Sequence, residues 1–125
     1  MYATMGIPRE DKASRLKWFA RNYLFFDALM ALFCSIDRRM GPPQWSDLGM
    51  FLMSVMLLLR EEGLDSCAQE SWSVYPRTIA QIVGIPPERM LFCGMAIGRG
   101  NPDHPVNQLV SERAGLAEFA TFQGV

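Results

Sequence analysis

At 125 residues, half of them hydrophobic, and with a formal net charge of −1, the chain has one domain's length and the composition for a core. Its 12 basic and 13 acidic residues offer no clustered basic surface for nucleic-acid phosphates, and Arg38-Arg39, read as a solvated loop, is too short to make one. The longest apolar run, Leu48 to Leu59, is interrupted by Gly49 and Ser54 and falls short of the roughly 18–20 residues of a membrane span. Neither nucleic acid nor membrane is expected as a partner.

In chain order, Pro8 to Phe26 reads as a helix. Glu10 and Asp11 suit its positive N-terminal end, and Leu16, Phe19, Ala20, Tyr23 and Leu24 make one apolar face. Leu29 to Ile36 is a continuous apolar run of the length and composition of a buried strand. Gly41-Pro42-Pro43 is a hard break. Ser46 is expected as the N-cap of a helix that runs to about Glu62, with Gly63 at C′. This helix is apolar almost all round until Arg60, so it needs cover on more than one side. A second subunit is the economical cover, and the pattern points to a dimer.

Leu64 to Gln69 reads as a short strand. Pro76 opens a helix that ends near Gly84. After a turn at Pro86-Pro87-Glu88, Met90 to Ile97 is a second buried strand, closed by Gly98-Arg99-Gly100. Asn101 to Val125 is irregular at first, with a helical turn expected within Glu112 to Phe119. Phe119, Phe122 and Val125 need somewhere to be buried, and a neighbouring subunit would serve. The tally predicts an α+β fold, a narrow sheet packed on a long central helix, with α/β permitted by the same pattern.

No catalytic constellation stands out. His104 is the one histidine, in a Pro-Asp-His-Pro loop, and reads as a surface residue. Gly98-Arg99-Gly100 opens no helix and does not continue as a dinucleotide motif. Cys34, Cys67 and Cys93 have no metal or redox spacing, so no metal site is expected. They read as buried free thiols of a reducing compartment, which places the protein in the cytoplasm.

Four segments in order carry a family resemblance. They are Pro42-Pro43-Gln44-Trp45-Ser46-Asp47-Leu48-Gly49-Met50, Gly63 to Trp72 (Gly-Leu-Asp-Ser-Cys-Ala-Gln-Glu-Ser-Trp), Met90 to Gly98, and Ser111-Glu112-Arg113-Ala114. Together they resemble the nitroreductase family of FMN-dependent, NAD(P)H-using oxidoreductases. The resemblance implies a nitroreductase-like α+β fold with a mixed or antiparallel sheet on a long central helix. It also implies a homodimer with FMN at the subunit interface, and hydride transfer from NAD(P)H through flavin N5 to a nitroaromatic or quinone-like acceptor.

Position by position, the resemblance lays Ala68, Gln69, Glu70 and Ser71 along the flavin ring, with the Glu70 backbone N–H as donor to N5. It makes Arg113 the holder of the FMN phosphate. No side chain is required as a catalytic nucleophile or base, because flavin carries the chemistry. Three positions depart from the family pattern: Ala68 stands for a frequent proline, Ser111 for a frequent basic residue, and Arg99 for a frequent aromatic. The resemblance covers the family's C-terminal portion, so residues 1–125 are expected to form one nitroreductase-like domain without the family's N-terminal portion. Two readings follow, a flavoenzyme and a truncated, non-catalytic dimerising remnant with weak or no flavin binding.

Overall fold

The computed structural model describes residues 1–124. Its main elements are α1 (Lys12–Ala20), β1 (Met30–Asp37), α2 (Pro42–Glu61), β2 (Asp65–Gln69), α3 (Pro76–Val83), β3 (Arg89–Gly98) and α4 (Leu116–Phe119). Short 3-10 segments occupy Ala3–Met5, Arg21–Asp27, Glu70–Val74 and Pro105–Gln108. The three strands form one antiparallel sheet in the order β1-β3-β2. This is the expected α+β arrangement, and the α/β alternative, which needs parallel strands, is not adopted.

The first predicted helix is broken. Asp11 is its true N-cap and accepts a hydrogen bond from the Ser14 N–H at 3.0 Å. After Ala20 the chain tightens into the 3-10 segment, then turns left-handed at Phe25, Phe26 and Asp27, with φ of 49°, 53° and 64°. Non-glycine residues enter that region at a cost of about 1–2 kcal/mol each. Aromatic packing holds the turn: Phe25 stacks on Trp72 at 4.6 Å and meets Phe33 edge-on at 5.5 Å. Arg21 pairs with Asp27 at 2.7 Å. The expected apolar face is not buried, since Leu16, Phe19 and Leu24 are all exposed.

The long helix α2 is capped five residues earlier than Ser46, the position the sequence favours for its cap. Gly41 caps it, Pro42 takes the first helical position, and the Gln44 side chain accepts from the Gly41 N–H at 3.1 Å. Ser46 instead bonds back to the Pro42 carbonyl within the helix. Only Leu52 of this helix is fully buried. It packs with Cys93, Met95 and Ile97 of β3, flanked by Leu32, Leu48, Met56 and Leu59. The opposite side of α2, with Met50, Phe51, Met53, Leu57 and Leu58, is exposed.

The second face of the sheet has its own cluster of Trp72, Ile79 and Leu91, bordered by Tyr23, Phe25, Phe33 and Ile85. One irregularity allows β3 to serve both clusters. Cys34 pairs with Cys93 but Ser35 pairs with Leu91, so Phe92 is an extra residue on β3. Such a bulge shifts the side-chain alternation by one. Cys93, Met95 and Ile97 therefore face α2, while Leu91 faces Trp72. Beyond the bulge, Gly94 lies opposite Phe33 and Gln69, on the Trp72 side.

Three further expectations need correction. Cys67 is exposed rather than buried, because it lies on β2, an edge strand. His104 is half-buried, stacked on Trp18 at 5.5 Å with its Nδ1 accepting from the Val106 N–H at 3.3 Å. The tail forms the expected helical turn at Leu116–Phe119, but Phe119 and Phe122, expected to be buried, are exposed. Val125 lies outside the described residues.

Two outcomes test this packing. A Cβ on residue 94 would stand 2.4 Å from Trp72 Cδ1, so Gly94→Ala should lower stability by about 1–3 kcal/mol in urea unfolding. An unchanged midpoint would show that the indole yields without cost. Burial, with the Cys34 thiol and the Glu70 carboxylate nearby, pushes the Cys93 thiol up to about 11. It is therefore neutral at pH 8, and the thiolate is the nucleophile. Iodoacetamide should leave Cys93 unmodified in the native chain and alkylate all three cysteines after denaturation, as read by peptide mass mapping.

Candidate functional site

Ala68, Gln69, Glu70 and Ser71 lie where β2 ends and the 3-10 segment Glu70–Val74 begins. Their exposure alternates sharply. Ala68 and Glu70 are exposed, Ser71 is half-buried, and Gln69 is only 2% exposed. A strand presents successive side chains to opposite faces, so the Gln69 carboxamide goes inward on the Gly94 side. There its Nε2 donates to the Asn22 carbonyl at 2.9 Å and to Asn22 Oδ1 at 3.2 Å. Its Oε1 accepts from Trp72 Nε1 at 3.4 Å. The side chain of Gln69 is thus committed to the interior, and only its backbone is left for a ligand.

Ser71 is fixed from below as well. Its carbonyl accepts from the Tyr23 hydroxyl at 3.4 Å. The Tyr23 ring meets Trp72 and Tyr75 edge-on at 5.2 and 5.4 Å. Burial first, and the Tyr75 phenol second, hold the Tyr23 hydroxyl above its usual range, so it stays a neutral donor. The Ser71 hydroxyl is shielded from solvent and has no hydrogen-bond partner among the described residues. A buried polar group without a partner is costly, and this one has its full donor and acceptor capacity unused. Glu70 opens the 3-10 segment, where an N–H has no partner within the helical turn. The run offers two exposed residues, Ala68 and Glu70, an unused hydroxyl and a rigid underside.

Arg113 is elsewhere. It lies in the irregular tail between residues 109 and 115, exposed. Its guanidinium donates to the Ser111 carbonyl at 3.3 Å, to the Glu112 carbonyl at 3.1 Å and to the Ser111 hydroxyl. Among the described residues, no hydrogen bond or ion pair joins it to Ala68–Ser71. Ala68–Ser71 are consecutive in the chain, and Arg113 makes its hydrogen bonds within its own segment.

Sequence reasoning missed the supporting residues. Asn22 and Tyr23 belong to a segment read as plain helix, and they meet Gln69 and Ser71 across 47 and 48 positions of chain. The available signal was a glutamine at the end of an otherwise short-side-chained strand, since a buried carboxamide needs partners. Among the described residues no group of three or more histidine, cysteine, aspartate or glutamate side chains could hold a metal ion.

The Glu61-Glu62 pair is exposed. Beside it, Arg60 pairs with Asp65, whose second carboxylate oxygen accepts from the Gly100 N–H at 2.8 Å. That carboxylate ties the end of α2 and the start of β2 to the exit of β3. It is a joint in the scaffold beneath the site.

A family model described as the nitroreductase family matches residues 4–99. A nitrobenzene nitroreductase of Ectopseudomonas oleovorans is 34% identical over 94% of this chain and 52% of its own length. A 4-nitrobenzoate reductase of Pseudomonas putida is 30% identical over 98% of this chain and 54% of its own. Among solved structures, the FMN and NADPH-dependent nitroreductase NfnB of Sphigopyxis sp. strain HMH superposes with a TM-score of 0.95. It is 48% identical, over 99% of this chain and 56% of that one. The FMN-dependent NfnB of Mycobacterium smegmatis, in complex with NADPH, gives a TM-score of 0.92 at 25% identity, over 98% and 55%. The chain thus spans about half the length of the curated relatives it matches. With the family model covering most of the sequence and the α+β fold shared with these structures, the chain belongs to the nitroreductase family.

Proposed function

We propose that this chain is the flavin-ring-bearing portion of an FMN-dependent oxidoreductase that reduces a nitroaromatic or quinone-like acceptor with NAD(P)H. The observation that carries the proposal is the Ala68–Ser71 run, exposed above and pinned from beneath by Gln69, with an unpartnered Ser71 hydroxyl. The relatives named as nitrobenzene nitroreductase and 4-nitrobenzoate reductase support the acceptor class. The NADPH-bound relative supports the donor. FMN, when bound, supplies the hydride chemistry between the two substrates.

The residues' own contributions are positional. Ala68 and Glu70 present an open backbone edge on which a flat ring system can lie, and the Glu70 N–H is the donor to the reacting edge of that ring. A fixed donor costs no reorganisation when charge develops beside it. Arg113 is the phosphate ligand, its planar fork suited to that anion. To serve, it must exchange its contacts with Ser111 and Glu112 for the phosphate.

The exposed side of α2 supports a homodimer. Met50, Phe51, Met53, Leu57 and Leu58 leave apolar surface on a helix whose other side is already packed on the sheet. Among the described residues no helix is long and apolar enough to cross a membrane. Three free thiols support the reducing cytoplasm as the compartment.

A second reading, a dimerising chain with weak or no flavin affinity, is favoured by one observation. Arg113 bonds only to its own neighbours and sits in a tail with no hydrogen bond to the sheet among the described residues. Titration with FMN followed by flavin fluorescence separates the two. Micromolar binding supports the flavoenzyme, and a folded chain that binds none supports the second reading. On the first reading Arg113→Ala should weaken FMN binding about 10- to 100-fold, the loss of one charge-assisted contact, and an unchanged affinity would remove Arg113 from the site. Leu57→Glu should convert a dimer to monomer in sedimentation analysis. A wild-type chain that is already monomeric would refute the proposed interface.

A further inference from the structure

We propose that Gln69 is a positioning residue, whose carboxamide, clamped between Asn22 and Trp72, fixes the direction in which the Ala68–Ser71 backbone faces its ligand. The geometry stands on its own, and the consequence for flavin rests on the function proposed above. A carboxamide has two N–H donors and two acceptor lone pairs. Gln69 uses both donors on Asn22 and one acceptor site on Trp72. An apolar residue would have served the core at that position with less desolvation. What a polar side chain adds there is orientation. Its bonds are directional, and a misplaced carboxamide would leave several groups unpaired at once.

The partners are themselves held. The Asn22 side-chain amide donates to the Phe19 carbonyl at 2.9 Å, which anchors it to the end of α1. The Trp72 indole lies against residue 94, where a Cβ would come within 2.4 Å of Cδ1, so the ring has no room to shift toward β3. The chain leaves Asn22 and Tyr23 through the left-handed residues Phe25, Phe26 and Asp27. Strain of that kind persists only where its surroundings over-determine it. Here the surroundings are Trp72 and Phe33 around Phe25, and the Arg21–Asp27 ion pair.

Tyr23 adds a further grip on the Ser71 carbonyl. Residues 69 and 71 are thereby gripped from below while residue 70, between them, faces out. The Gln69 side chain never touches the ligand in this arrangement. It acts by holding the backbone that does.

The test compares the full chain with Gln69→Met, which keeps side-chain length and removes the polar atoms. Asn22→Ala and Trp72→Phe each remove part of the clamp and serve if Gln69→Met fails to fold. Two readouts are needed: hydrogen exchange of the amides of residues 68–74 against those of β3, and the visible spectrum and midpoint potential of bound FMN. Gln69→Met should speed exchange in 68–74 about tenfold, the loss of one or two buried hydrogen bonds. The β3 amides should stay unchanged, and the flavin spectrum and potential should shift.

Exchange that is unchanged in 68–74, or that rises equally in β3, would overturn the proposal. Bound FMN with the same spectrum and potential in both proteins would overturn it too. If the unsubstituted chain binds no FMN, the flavin reading fails by itself. The exchange comparison then decides the clamp alone.

Discussion

The indole of Trp72 lies where a β-carbon on residue 94 would stand, and that exclusion ties three parts of the chain together. Because Gly94 has no side chain, the ring can lie flat on the middle strand. Its own N–H then reaches Gln69, and its faces and edges receive Phe25, Phe33 and Tyr23. The segment proposed to meet flavin is built directly on this contact, since Trp72 belongs to the same 3-10 segment as Glu70 and Ser71. Aromatic pairs of this geometry contribute roughly 0.5–1.5 kcal/mol each beyond their buried area. Several of them around one ring offset the cost of three consecutive left-handed residues. Cluster, strained turn and exposed backbone run are one mechanical unit.

What could be read in advance follows from the range of the forces involved. β3 was legible as a continuous apolar run because both faces of the sheet are covered along it. β1 was legible as a strand, but at the sheet's edge none of its residues is fully buried, and Met30 and the preceding Leu29 are exposed. The ends of α3 were legible because Pro76 and Gly84 act locally, the second with φ of 72°. The start of α2 was misplaced because Ser46 is a good cap in isolation. Proline at the first position, with glutamine reaching back to Gly41, outweighs it. The left-handed turn has no local signature at all, since Phe25 and Phe26 are poor residues for it. Contacts of Phe25 with Trp72 and Phe33 and the Arg21–Asp27 ion pair hold it, and the Trp72 contact joins positions far apart in sequence. Gln69 and Ser71 were placed at the site by family resemblance, yet the inward commitment of the Gln69 side chain needed the register of β2 on β3. Arg113 rests on resemblance alone.

The same chain carries two unequal surfaces. On one side of the sheet, Trp72, Ile79 and Leu91 are fully covered within the chain. On the other, α2 covers the sheet but leaves its own outer side apolar and open, and the tail with Phe119 and Phe122 is open as well. Apolar surface of that extent is characteristic of interaction sites. The side that carries the Gln69 clamp is therefore the better determined of the two. The long helix depends for its second half of cover on something other than this chain.

The extra residue at Phe92 reads, in the language of periodic signals, as a change of phase. Before it, odd-numbered positions of β3 look toward Trp72; after it, they look toward α2. Loss or gain of one residue there would leave every local preference for strand intact. It would nonetheless exchange the audiences of half the strand, sending Met95 and Ile97 toward the indole and Gly94 toward the helix. Length at that point is thus more tightly constrained than identity. Comparisons of this strand with others are meaningful only when its two halves are aligned separately.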